Sequence, residues 1–292
     1  MIQMERLPSL TSILLQAGTQ QLAAAGIGPA RREAEWLLSR LMAVPPLELY
    51  LDERRASEPM AERFFAQIRA RASGAPLQYL LGDAEFFGRP FMVEPGVFIP
   101  RPETETIVEA FLRAIWQDAG RRTCALQILE LGVGSGCIAV TVAQRLPACH
   151  LVGVEVSWNA LAVARRNVLR YELLAHVHLV QGSWTDGVRG TFDAVISNPP
   201  YIPTHQIQML PLDVRQEPLV SLDGGADGLR DLGALMDSVP RLLRPGGILA
   251  LECGEDQVDA LLRRRGHGSW IQRITRVHDL AGRPRGILLY RK

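Results

Sequence analysis

Neither sign of charge dominates this chain: 32 Lys and Arg stand against 31 Asp and Glu over 292 residues, a formal net charge of +1. That balance excludes a global field drawing the protein onto nucleic acid or an anionic membrane, so direct nucleic-acid binding would need a local basic patch. The best such patch, Arg263-Arg264-Arg265, follows Ala260-Leu261-Leu262 and reads as the solvated face of an amphipathic helix. Cysteine is scarce: Cys124, Cys137, Cys149 and Cys253 form no Cys-x-x-Cys pair, and no histidine stands at metal-ligand spacing from them. Neither a metal site nor a disulfide framework is expected. Long apolar runs are missing as well. None approaches the ~20 residues that span a bilayer, and the opening residues, with Glu5 and Arg6, lack a basic-then-apolar leader pattern. The expectation is a reduced, metal-free, cytoplasmic protein, monomeric and without membrane contact.

What is present is a globular composition, 47% hydrophobic and 22% charged, long enough for one large core and a smaller one. Residues 9 to 73 carry helical periodicity. Leu10, Ile13, Leu14 and Ala17 share one face, as do Ala34, Leu37, Leu38 and Leu41. Gly26-Ile27-Gly28-Pro29, Pro45-Pro46 and Gly74 fall where helices should stop and start. Between residues 84 and 99 the period changes, and Phe86-Phe87 and Phe91-Met92-Val93 flank Gly88-Arg89-Pro90 as in a β-hairpin. Beyond residue 103, helical stretches alternate with β-rich runs at Leu126 to Leu131, Leu151 to Val156, Val177 to Val180, Phe192 to Ser197, Ile248 to Glu252 and Ile287 to Tyr290. Such alternation predicts an α/β fold, a mainly parallel sheet covered by helices on both faces. Residues 1–82 are expected to form a small all-α domain, 83–99 a hairpin linker and 100–292 the α/β domain.

The first chemical motif, Glu130-Leu131-Gly132-Val133-Gly134-Ser135-Gly136, lies between the strand Gln127-Ile128-Leu129 and the helical run Ile138 to Leu146. Glycines at a strand-to-helix turn admit positive φ and let a ligand approach atoms that a Cβ would shield, while the helix N-terminus beyond offers unpaired N–H groups. A dinucleotide would use a similar turn, but the pattern here is Gly-x-Gly-x-Gly, and a pyrophosphate would find Glu130 unwelcome. A cationic ligand would not. S-adenosylmethionine, which has a sulfonium, an ammonium and no phosphate, suits an acidic strand end. Glu155 closes the next strand 23 residues after Gly132, near the ~20-residue offset at which an acid accepts both hydroxyls of a ribose.

The motif that selects the chemistry is Asn198-Pro199-Pro200-Tyr201, directly after the apolar run Phe192 to Ser197. Two prolines cannot continue a strand, and their fixed φ stiffens the loop. An amide nitrogen is a poor nucleophile, because its lone pair is committed to resonance. What helps is a pair of acceptors that grip both N–H bonds and aim the lone pair at a methyl carbon. The Asn198 side-chain oxygen and the Pro199 carbonyl have that chemistry, with Tyr201 lying flat against the planar group. Adenine N6, cytosine N4 and a glutamine side chain all present such an NH2.

Phe98-Ile99-Pro100-Arg101-Pro102-Glu103-Thr104-Glu105, the Glu130 to Gly136 turn, Asn198 to Tyr201 with Ile202, and Glu217-Pro218-Leu219 followed by Asp223-Gly224-Gly225-Ala226-Asp227-Gly228-Leu229 together resemble the HemK/PrmC family of release factor glutamine methyltransferases. The resemblance covers nearly the whole chain. It implies a helical N-terminal bundle, a hairpin linker and a seven-stranded, Rossmann-like class I S-adenosylmethionine-dependent methyltransferase domain. It further implies transfer to the side-chain nitrogen of the glutamine in the Gly-Gly-Gln loop of class 1 peptide chain release factors, with the helical domain docking that partner. Matched by position, the cofactor contacts fall on Gly132, Val133, Gly134, Ser135, Gly136, Glu155, Trp184 and Asn198, and the substrate contacts on Asn198, Pro199, Pro200 and Tyr201. Glu155 departs from the more usual aspartate, and Ser183 stands where many relatives carry an acid. Trp184 is equally readable as a core aromatic. The rivals are a DNA or RNA amino-methyltransferase, which the absence of a basic stripe opposes, and a ribosomal-protein glutamine methyltransferase, which Arg101-Pro102-Glu103-Thr104 opposes. A non-enzymatic adenosyl-ligand sensor or a nicotinamide oxidoreductase would leave Asn198 to Tyr201 unexplained.

Overall fold

The computed structural model describes residues 10–51, 55–118, 125–265 and 270–292. Glu5, Arg6 and Cys124 lie outside the described residues, as do the side chains of Arg264 and Arg265. The chain splits into two compact units, Met1–Gly82 with Pro211–Gln216, and Asp83–Leu210 with Glu217–Lys292.

The smaller unit is helical: α1 Thr11–Ala24, α2 Ala30–Met42, α3 Glu48–Leu51, α4 Glu58–Ala72 and α5 Leu77–Leu81. Leu14, Leu22, Leu37, Leu38, Phe64 and Ile68 are fully buried at its centre. The inward stripe of α1 runs through Leu14, Gly18 and Leu22, with Leu15 beside it, whereas Ile13 is 45% exposed. The expected face was therefore rotated. An apolar pattern overlooks Gly18, yet the Phe64 ring packs where its Cβ would stand, at 2.7 Å. A buried ion pair joins α4 to α2, with Arg71 Nε 2.6 Å from Glu33 Oε2, and the same guanidinium donates to the Ala75 carbonyl and to Asp213.

The larger unit opens with the hairpin β1 Asp83–Phe86 and β2 Arg89–Met92. Its turn is Phe87-Gly88, both at positive φ (50° and 70°), one residue earlier than the sequence indicates, and Pro90 sits inside β2. A two-stranded ribbon has only edges, so the missing N–H of Pro90 is tolerated. The helix α6 Pro102–Gln117 has proline at its first position and Glu103 and Glu105 in its first turn, as the helix dipole favours. Then follow β3 Gln127–Leu131, α7 Cys137–Arg145, β4 His150–Glu155, α8 Trp158–Arg170, β5 Val177–Gln181, β6 Phe192–Ser197, α9 Arg230–Ser238, β7 Leu243–Glu252, α10 Gln257–Arg265, β8 Ile271–His278 and β9 Pro284–Arg291.

The seven strands lie in the order β5-β4-β3-β6-β7-β9-β8, parallel through β7, with β9 and β8 antiparallel. Ile128, Ile196, Ile248 and Ala250 feed a core on one sheet face with α6 and α7, and Leu129, Leu131, Val195 and Leu251 a core on the other with α9 and α10. The β-rich runs from the sequence all appear, and β8 was missed. This edge strand buries only Ile271 and Val277, so it lacks the apolar signature of its neighbours.

Candidate active site

The order of strands reverses between β3 and β6, and their register sets Leu131 opposite Ser197, with Ser197 Oγ donating to the Leu131 carbonyl at 2.6 Å. The glycine turn and the proline loop thus leave the sheet side by side at its carboxyl edge, where open α/β sheets bind ligands.

Within the turn, Gly132, Gly134 and Gly136 have φ of 77°, 56° and 81°. A Cβ at Gly136 would meet the Ala164 backbone at 3.2 Å, whereas one at Gly134 would meet nothing within 4 Å. The glycine at 136 is required by packing, and that at 134 leaves open space above its backbone. The residue before α7 is Gly136, which has no side chain to cap the helix, so N–H groups of its first turn face the glycine turn. The turn is held from below by Asn167, itself fully buried, whose Nδ2 donates to the Ser135 and Met92 carbonyls (2.8 and 3.0 Å) and whose Oδ1 accepts from the Met92 amide (2.8 Å).

Glu155 is buried, its two oxygens accepting from the Gly134 and Ser157 amides at 2.8 Å each. Each oxygen retains a lone pair for a further donor. Glu130 is sealed beneath the turn, fully buried, and neither of its oxygens makes a well-formed hydrogen bond among the described residues. Burial and then the charge of Glu155 push its carboxyl well above the ordinary range, opposed only by the Ala139 backbone amide. An unpaired buried acid is costly, and a nearby cation is what would stabilise it. An open glycine cradle over an orphaned acid fits a cationic adenosyl ligand.

Trp184 holds a left-handed φ of 46°, a strained position for a bulky residue. Its indole donates to Asp231 Oδ1 at 3.2 Å, its body packs against the core shared with α9 and α10, and its ring edge lies 3.4 Å from where a Gly132 Cβ would be. It is both core aromatic and neighbour of the turn.

In the proline loop, Pro199 and Pro200 are buried while Asn198 and Tyr201 are half-buried. Asn198 Nδ2 donates to Thr104 Oγ1 at 3.0 Å, an arrangement that turns Oδ1 away as an acceptor. The Tyr201 hydroxyl donates to Glu252 Oε1 at 3.2 Å. The segment Asp223 to Leu229 buttresses the loop: the Ile202 amide donates to the Leu222 carbonyl, and Gly224 approaches so closely that a Cβ would lie 2.8 Å from the Pro200 carbonyl and Tyr201 Cα. Gln257 adds a bond to the Tyr201 carbonyl at 2.7 Å. Upstream, Glu217 accepts from the Ile99 amide at 2.9 Å and pairs with Arg101, which locks the approach to α6.

Sequence reasoning placed Thr104 only within the Phe98 to Glu105 stretch, without its bond to Asn198, and assigned no role to Asn167, Asp231, Glu252 or Gln257. For Glu252 a signal existed: like Glu155, it is the carboxylate that closes an apolar strand, and Glu130 stands one residue before the end of its own.

A seven-stranded, mostly parallel sheet with a glycine turn and an Asn-Pro-Pro-Tyr loop at its switch point defines a class I methyltransferase. The methyltransferase from Pyrococcus furiosus has the same fold, with a TM-score of 0.51 at 21% identity over 81% of this chain and 99% of that one. More closely related are the release factor glutamine methyltransferases of Moorella thermoacetica, 41% identical over 95% of this chain and 97% of that one, and of Geobacter sulfurreducens, 42% identical over 82% and 83%. Residues 14–82 match the PrmC N-terminal domain and residues 90–216 the methyltransferase small domain. The chain belongs to the release factor glutamine methyltransferase family. No described helix is long and apolar enough to cross a membrane, and no group of three or more metal-ligating side chains occurs among the described residues.

Proposed function

We propose that this enzyme transfers a methyl group from S-adenosylmethionine to the side-chain amide nitrogen of the glutamine in the Gly-Gly-Gln motif of class 1 peptide chain release factors, in the cytoplasm. The observation that carries the reading is the orientation of Asn198: with Nδ2 committed to Thr104, Oδ1 is left to accept from a substrate NH2. The names of the relatives support the choice of release factors, and the near-zero net charge disfavours a nucleic-acid substrate.

Gly132 to Gly136, Glu155 and Trp184 would hold the cofactor, which supplies an electrophilic sulfonium methyl and departs as a neutral thioether. The rest is the work of the loop. Asn198 Oδ1 and the Pro199 carbonyl accept the two amide N–H bonds and direct the nitrogen lone pair. Each acceptor strengthens its bond as the nitrogen gains positive charge, so the stabilisation grows toward the transition state. The two prolines fix the acceptors in advance and limit the reorganisation needed. When the N–C bond has formed and the C–S bond has broken, the cationic nitrogen, now strongly acidic, sheds one proton to water. The helical unit is assigned to docking the release factor.

The test is incubation with radiolabelled S-adenosylmethionine and either purified release factor or DNA. Label on the release factor glutamine is expected, and label only on DNA would reject the reading.

A further inference from the structure

We propose that Glu252 is a positioning residue for the transfer: through Tyr201 and Thr104 its buried carboxylate fixes the orientation of the Asn198 amide. The inference rests on the proposed amide methylation only for what Asn198 grips.

Strand register places the residue. Ser197 on β6 lies opposite Leu251 on β7, so Asn198 and Glu252 leave neighbouring strands at the same level. Glu252 is 1% exposed and Thr104, in the first turn of α6, is 3% exposed. The Thr104 hydroxyl has one proton to give, and its oxygen already accepts from Asn198 Nδ2 at 3.0 Å. That proton turns, in this proposal, to the neighbouring Glu252 carboxylate, whose ionised form the Thr104 hydroxyl favours. The Tyr201 hydroxyl donates to Glu252 Oε1 at 3.2 Å. An ionised carboxylate accepts only. It therefore enforces one sense along the chain: Tyr201 and Thr104 donate to Glu252, Asn198 Nδ2–H donates to Thr104, and Oδ1 faces outward. A protonated Glu252 becomes a donor and competes for the Thr104 oxygen on which Asn198 depends.

Burial pushes the Glu252 carboxyl up to about 7; the Thr104 and Tyr201 hydroxyls and the Arg285 guanidinium on β9 pull it down, and Glu103 on α6 pushes it up. The adjacent Cys253 thiol, pushed up to about 12 by burial, stays neutral over the working range. The orienting state is the one present above pH ~7, and it is lost as Glu252 takes up a proton below that.

The experiment follows the Asn198 side-chain NH2 resonances of the full chain by 15N NMR from pH 5.5 to 8.5, with S-adenosylhomocysteine affinity and kcat measured alongside, in wild type, Glu252→Gln and Thr104→Val. The inference expects the Asn198 signals to titrate with a midpoint near 7 in wild type and to stay still in Glu252→Gln. It expects kcat of Glu252→Gln to fall roughly ten- to a hundred-fold, with cofactor affinity unchanged. Thr104→Val, which cuts the same link while leaving Glu252 in place, should also still the Asn198 signals, and it serves if the glutamine variant does not fold. An Asn198 resonance that stays fixed in wild type, or titrates unaltered in either variant, overturns the proposal. Because the titration needs no methyl acceptor, a titrating Asn198 in an enzyme that labels no release factor would sink the substrate assignment and leave this inference standing. Efficient transfer with a stationary Asn198 would do the reverse.

Discussion

Replacing Glu252 by glutamine should make the enzyme slower and improve its stability relative to wild type as pH rises. In the folded protein the carboxyl titrates at about 7, against an ordinary value of 4.5. Between those values the folded chain holds a proton that the unfolded chain has released, so stability is greatest below pH ~4.5 and declines as pH rises through 7. A shift of that size corresponds to about 3 kcal/mol of stability lost across the window. Glutamine cannot ionise and escapes the loss. It brings its own cost, since the oxygen it replaces, Oε2, has no hydrogen-bond partner among the described residues and a new Nε2–H there would be unsatisfied, at about 1–3 kcal/mol. That cost is the same at every pH and cancels when conditions are compared. The relative stability of Glu252→Gln over wild type should therefore improve by about 2–3 kcal/mol between pH 5 and pH 8, or roughly 5–10 °C in Tm for the α/β unit. Glu130 titrates in the same sense, but it is present in both proteins and drops out. Calorimetry of both proteins at the two pH values measures the difference. A stability gap independent of pH would mean that Glu252 does not ionise in this range, and the reasoning would fail.

Other substitutions separate binding, transfer and folding. Asn198→Ala should lower kcat by ~10²-fold or more while calorimetric binding of S-adenosylhomocysteine stays near wild type, since the residue acts on the acceptor group. Gly134→Ala places a methyl group in open space at a φ of 56° and should cost only ~1 kcal/mol of stability, measured by denaturant unfolding, yet abolish measurable cofactor binding. Gly224→Ala forces a Cβ to within 2.8 Å of the Pro200 carbonyl and should cost 1–3 kcal/mol or more, roughly, with kcat falling as the loop shifts. In the helical unit, Glu33→Gln leaves Arg71 buried without its main partner and should destabilise that unit by about 3–5 kcal/mol.

Much of this architecture is legible before folding, because the central strands of a sheet covered on both faces must be largely apolar, and six of the seven strands carry an apolar run. The seventh, β8, is an edge strand facing solvent and carries no such mark. The glycine turn and the Asn198 to Tyr201 loop were visible because glycine and proline constrain the backbone locally. The contacts of Thr104, Asn167 and Glu252 were not, since each acts on a partner 32 to 94 residues away, and only the fold makes them neighbours. The face of α1 was misplaced for a related reason: Gly18 is inward because Phe64 needs the room, a fact about α4 rather than about α1.

A crystal structure with S-adenosylhomocysteine and a glutamine-bearing peptide bound would test the central claim most directly. The account predicts the sulfur above the Gly132 to Gly136 turn and directed at the glutamine nitrogen, with that nitrogen hydrogen-bonded to Asn198 Oδ1 and the Pro199 carbonyl. A sulfur turned away from those two acceptors would contradict it.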